Sequence, residues 1–225
     1  DGKHLAYVTG DGALVVRAID SLETEPIRGI SGARAPFFSP DGKWIGYFQG
    51  STELRKVSVT GGPSILLCPI ATPPRGASWG ADDVIVFATA DTNTGLATVP
   101  AGGGEPKVIS KANPAKGETD HLHPAVLPGG AILFTITPQG GQVENAQVAV
   151  LDRKTGAIKT LVRGGSQAEY VEPGYLVYGA AGSLRAVRFD LKRLEVTSDP
   201  VPVVEQVAMT SAAAAEFSIS RARTL

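Results

Sequence analysis

The residues of this sequence best equipped for chemistry are the run Asp120-His121-Leu122-His123-Pro124. Proline disfavours the helical region for the residue before it, so His123 is expected in extended chain. Side chains two apart along a strand point to one face, roughly 6.6 Å apart. On that geometry both imidazoles reach one divalent ion, zinc or manganese, with Glu118, Asp120, Glu169 or Glu216 completing a histidine–carboxylate set. Such an ion lowers the pKa of bound water to about 7, enough to hydrolyse an ester, lactone or phosphoester with Glu169 or Glu216 as base. The plainer reading makes His121 and His123 hydrogen-bonded structural residues, because spacing fixes no third ligand.

Two arginines, Arg34 and Arg75, offer planar forks that clamp a carboxylate or phosphate, or else pair with an acidic side chain nearby. Gly76-Ala77-Ser78-Trp79-Gly80 satisfies the nucleophile-elbow pattern, which requires a strand before it and a helix after. Here Pro73-Pro74 precede and the apolar run Val84 to Phe87 follows, so Trp79 is expected in apolar packing. Gly102-Gly103-Gly104 lacks the Lys-Ser/Thr of a phosphate loop and reads as a hairpin turn. The single cysteine, Cys68, follows Ile65-Leu66-Leu67 and reads as an inert buried thiol. His4 stands alone after a turn and is expected in solvent.

What positions these groups is a repeat. Short apolar runs end in an aromatic at Tyr7, Tyr47, Phe87, Phe134 and Tyr178, spaced 40, 40, 47 and 44 residues apart. Each follows a turn such as Asp41-Gly42-Lys43 or Pro173-Gly174, and two further β-rich runs come after it. A short strand then leads into the next unit, making four strands per period, the signature of a propeller blade. The 27 glycines and 16 prolines exceed average usage of about 7% and 5% and are spread evenly, which opposes helix. Twenty-one basic against 22 acidic residues leave a net charge of −1, which argues against a nucleic-acid footprint. No run approaches 18 apolar residues, so membrane insertion of this segment is not expected.

The expected fold is all-β, a single propeller domain over 1–225 with units near 1–32, 33–72, 73–118, 119–166 and 167–210. Residues 211–225 would then supply the first strand missing from the N-terminal unit and close a five-bladed ring, protecting both sheet edges. A six- or seven-bladed parent is the alternative, since Asp1 starts inside a turn. The alanine-rich stretch Ser211 to Glu216 is the one rival for a helical turn. In such a ring, the innermost strands would bring Arg34, Arg75, His121, His123, Glu169, Tyr170 and Glu216 to one channel mouth.

Phe38-Ser39-Pro40-Asp41-Gly42-Lys43-Trp44-Ile45-Gly46-Tyr47 resembles the repeat of TolB-type β-propellers. Gly174-Tyr175-Leu176-Val177-Tyr178, continuing through Leu184 to Asp190 and Pro200 to Val203, resembles the C-terminal propeller of many bacterial serine/threonine protein kinases. Val99 to Pro106 and Gly117 to His121 are similar to the same group. The resemblance implies a sensor or interaction propeller outside the cytoplasmic membrane, part of a larger kinase-linked chain, that binds a small molecule or protein and does not catalyse. A metal-dependent hydrolase at the histidines, and an assembly module using exposed blade edges, are the alternatives. The Ser-Pro-Asp-Gly turn becomes Leu127-Pro128-Gly129-Gly130 and Glu172-Pro173-Gly174 in later units, so function does not transfer on repeat identity alone.

Overall fold

A computed structural model describes residues 2–140, 143–210 and 213–219. Five antiparallel sheets follow one another along the chain. The first contains β1 (His4–Val8), β2 (Leu14–Ala18) and β3 (Glu25–Pro26). The second is β4 (Ala33–Phe38), β5 (Trp44–Gln49), β6 (Glu53–Ser58) and β7 (Ile65–Pro69). The third is β8 (Pro74–Trp79), β9 (Val84–Thr89), β10 (Leu96–Pro100) and β11 (Lys107–Val108). The fourth is β12 (Glu118–Val126), β13 (Ile132–Pro138), β14 (Gln147–Leu151) and β15 (Ile158–Arg163). In the fifth, β16 (Ser166–Val171), β17 (Tyr175–Ala180) and β18 (Ser183–Asp190) are joined by β19 (Glu195–Val196) and β20 (Val201–Val204), both paired with β18. Among the described residues there is no α-helix; the only helical turns are 3-10, at Pro114–Lys116 and Val143–Asn145.

The core lies between sheets rather than inside any one of them. Ile45 and Tyr47 of β5 face the first sheet, against Leu14 and Ile27. Phe87 and Trp79 meet Phe48 and Leu54 between the second and third. Phe134 and Ile132 meet Val86 and Leu96 between the third and fourth, and Tyr178 and Leu176 meet Leu133 and Val148 between the fourth and fifth. The repeating aromatic therefore does one job in each of these sheets: it closes the gap to the preceding sheet. Apolar side chains on both faces of a strand follow from the second, third and fourth sheets each being covered on two sides.

Inner strands pack in chain order, β4 on β8, β8 on β12 and β12 on β16, with β1 against β4. Each of β4, β8, β12 and β16 is broken by a β-bulge at the same level, between Arg34 and Phe37, Pro74 and Ala77, Leu122 and Ala125, and Ser166 and Glu169. At each bulge one residue has positive φ: Ala35, Gly76, His123 and Gln167. Ala213, with φ 58°, repeats the feature once more after the fifth sheet. Gly76 answers a close approach, since a Cβ there would stand 3.1 Å from the His123 Cα.

The last described segment differs from expectation. Ala213 to Glu216 is not a helical turn, because the left-handed backbone at Ala213 reverses the chain and Ala215 bridges Met209. Phe217 to Ile219, within the 211–225 stretch expected to supply the closing strand, has no strand partner among the described residues. Phe217 and Ile219 instead pack with Ala215 and Met209 on Val177 and Leu184 of the fifth sheet, the side on which a following sheet would sit. The proposed closing strand through Thr224-Leu225 lies outside the described residues.

Candidate functional site

The two histidines are separated by the bulge in β12, so the extended spacing that would align them does not apply. His121 is completely buried and packs against Phe134 with ring centroids 4.7 Å apart and the ring planes tilted by 55°. Both its nitrogens are engaged: Nδ1 lies 2.8 Å from Ser110 Oγ, and Nε2 lies 3.4 Å from Glu118 Oε2. Ser110 Oγ already accepts from the Leu96 N–H at 3.0 Å, so its own proton is available to His121 Nδ1. That leaves Nε2 to carry the imidazole proton and donate it to Glu118, whose carboxylate also accepts from the Asn113 N–H at 2.7 Å. Burial pulls the imidazole's pKa below its ordinary value, with Glu118 opposing part of that shift.

Serine, histidine and carboxylate stand here in the order of a hydrolase relay. Ser110 is only 8% exposed, however, and its oxygen is held by a backbone amide, so substrate has no approach to the hydroxyl. The cluster instead fastens the end of the third sheet to the start of the fourth. Ser110→Ala would leave His121 Nδ1 buried without a donor and is expected to lower stability by about 1–3 kcal/mol. Urea unfolding monitored by circular dichroism checks this, and Ser110→Thr should recover most of the loss.

At the bulges the geometry is different. Arg34 and Arg75 each immediately precede the positive-φ residue, Ala35 or Gly76, on the adjacent strands β4 and β8. Arg34 is exposed and has no carboxylate partner among the described residues. Arg75 is half-buried, donates to the Pro74 carbonyl at 3.2 Å, and its charge reaches Asp120 on β12. His123 occupies the bulge of β12 beside Gly76, half-buried. In β16 the corresponding residue is Gln167, whose N–H donates to Thr135 Oγ1 at 2.8 Å and whose Oε1 accepts from Ala215 N–H at 2.9 Å.

Asp120 is the perturbed acid of this region. It is buried, and burial raises its pKa to about 6. The His121 N–H bonded to Oδ1 at 2.8 Å and the charge of Arg75 oppose that rise, while Asp91 adds to it.

The structure thus places Arg34, Arg75 and His123 at one level of successive inner strands, and removes His121 to the core. Glu169 is half-buried on β16, two residues past the bulge position. Tyr170 meets Phe189 edge to face with ring centroids 6.3 Å apart and packs against the core between the fourth and fifth sheets. Glu216 is exposed, and its N–H donates to the Ala208 carbonyl. Among the described residues, no group of three or more His, Cys, Asp or Glu is arranged to hold a metal ion. Gln167 was not anticipated from the sequence; its alignment with His123 becomes visible only once bulges, rather than aromatics, set the register.

Other sequence features take the expected places. Trp79 is buried between sheets, and Ser78 Oγ accepts from the Val126 N–H at 3.0 Å, so the Gly76–Gly80 stretch is strand and not an elbow. Cys68 is buried, and burial together with Glu105 pushes its thiol up to about 11. His4 is half-buried rather than solvated.

The sequence matches no protein-family model and no curated protein. Solved structures do match. TolB from Acinetobacter baumannii superposes with a TM-score of 0.69 at 18% identity, over 91% of this chain and 52% of that one. An oligogalacturonate lyase from Vibrio parahaemolyticus gives 0.61 at 13%, over 92% and 64%. Regucalcin, a calcium-binding protein from Agrobacterium tumefaciens, gives 0.57 at 13%, over 76% and 58%. The chain is therefore an all-β propeller. Its fold is that of the TolB type, and it spans about half the length of the Acinetobacter TolB.

Proposed function

We propose that this chain is a non-catalytic, sensor-type propeller that binds an acidic small molecule or protein segment at the channel mouth, on the outer side of the cytoplasmic membrane. The observation that carries the reading is the equivalent placement of Arg34 and Arg75, each one residue before a positive-φ bulge on neighbouring inner strands. Two guanidinium forks held on rigid strands suit a carboxylate, because each presents donors in fixed planar geometry. His123 and Gln167 add adaptable hydrogen bonding at the same level. The location rests on the resemblance to TolB-type and kinase-linked propellers.

Titration with hexaglutamate, followed through backbone amide shifts, tests the proposal. Saturable shifts at Arg34, Ala35, Arg75, Gly76 and Gln167 are expected, with affinity falling at least about tenfold in Arg34→Gln/Arg75→Gln. An unaffected mouth, or unchanged binding by the double variant, would remove the reading. Elemental mass spectrometry supplies the second arm. One equivalent of zinc or manganese in the parent, lost in His123→Ala, would put a metal-dependent hydrolase in its place.

A further inference from the structure

At the opposite end of the strands from the bulges, a groove of about 440 Å³ opens between the first and second sheets. Its lining is mixed, with Val16, Ile27 and Val59 giving apolar surface beside polar groups and the Gly61-Gly62 turn. Arg17 and Arg28 both line it. Arg17 lies on β2 opposite Leu5 and is half-buried; its Nε is wholly removed from solvent and has no hydrogen-bond partner. Among the described residues neither guanidinium makes an ion pair or a side-chain hydrogen bond, although arginines elsewhere do, Arg55 with Glu53 and Arg153 with Asp82. Burying a donor without a partner is unfavourable, and native structures keep such groups for a reason.

We infer that this groove is a second binding site, for a small organic carboxylate with an apolar body. Two arginines on one groove call for an anion, and a planar carboxylate matches the guanidinium fork that each presents. Glu23 also lines the groove, so among the described lining residues the arginines outnumber the carboxylates by one, which fits a monoanion better than a phosphate dianion. His4 completes the titratable lining. Val16, Ile27 and Val59 take the ligand's hydrocarbon, and the volume lies within the range of roughly 300–1,000 Å³ usual for small-molecule sites. The site is separate from the mouth: Thr60 follows β6, whose far end at Glu53 pairs with Gln49, itself paired with Ala33 beside Arg34.

The test is a titration of the chain with hexanoate, acetate and inorganic phosphate, followed through backbone amide shifts. Hexanoate is expected to give saturable shifts confined to residues 16–18, 27–28 and 60–62. It should bind at least about tenfold tighter than acetate, because its extra methylenes are buried. Arg28→Gln, an exposed position where folding is not at stake, should weaken hexanoate about tenfold, and Arg17→Gln/Arg28→Gln should abolish binding. Arg163→Gln, on the outer strand β15, should bind as the parent does. Absence of saturable shifts, or equal affinity in the arginine variants, overturns the site. Phosphate binding tighter than hexanoate at these residues overturns the carboxylate assignment. Shifts at Arg34 and Arg75 alone would overturn this site while leaving the mouth proposal standing.

Discussion

Phe134→Ala is expected to lower the unfolding free energy by about 3–5 kcal/mol, the usual cost of deleting a buried aromatic side chain. Phe134 is fully buried, packs between the third and fourth sheets, and touches the tilted His121 ring. Removing it opens a cavity and takes away an aromatic contact of an imidazole already held by Ser110 and Glu118, so the damage reaches the contact between two sheets. Urea unfolding of the variant beside Phe134→Leu separates the two contributions. Leucine should recover most of the apolar volume but none of the ring contact. A loss below about 1 kcal/mol would mean that the gap between these sheets collapses freely, contrary to the packing described.

Asp120→Asn is expected to stabilise the protein, and only above acid pH. The carboxyl has an ordinary pKa of 3.8 and is raised by burial to about 6 in the folded chain. Between those values the folded state holds more protons than the unfolded state, so stability falls as pH rises, reaching a deficit of about 3 kcal/mol once the group is ionised in both states. Asparagine has no charge to desolvate and keeps an Oδ1 to accept the His121 N–H. Near pH 8 the variant should therefore melt higher than the parent, and near pH 4 the advantage should vanish. Thermal unfolding across that range measures it; equal melting curves at both ends would show that Arg75 compensates the buried charge completely. His121 acts in the reverse direction, since its lowered pKa makes the fold lose stability as pH drops below 6.5. Asp120→Asn isolates the one slope from the other.

Much of the architecture was legible because the period of the aromatics is a packing period. Tyr47, Phe87, Phe134 and Tyr178 were read as strand ends and prove to be the residues that seal neighbouring sheets. The turns and the four-strand units followed from Gly and Asp placement. The candidate site was less legible, for a reason that His121 and His123 illustrate. Strict alternation places residues two apart on one face, but a bulge inserts a residue and cancels that rule. The left-handed backbone is carried by Ala35, His123 and Gln167 as well as Gly76, so no glycine pattern announces it. Counting back from the aromatics Tyr47 and Phe87 sets Arg34 and Arg75 one residue out of step, and only the bulges bring the two into equivalent places. Tyr170 does not join them, because its side chain turns into the core at Phe189.

The recurrence of one backbone kink at Ala35, Gly76, His123, Gln167 and Ala213 has an evolutionary corollary. The kink accepts a methyl at Ala35 and Ala213, an imidazole at His123 and an amide at Gln167, so its geometry comes from the strand and the sheet beside it and not from one residue type. Gly76 is the exception, coupled to the next strand because a Cβ there would press on the His123 Cα. Substitution at the exposed Ala35 can therefore change what this end of the strands displays while the aromatic seals between sheets stay untouched.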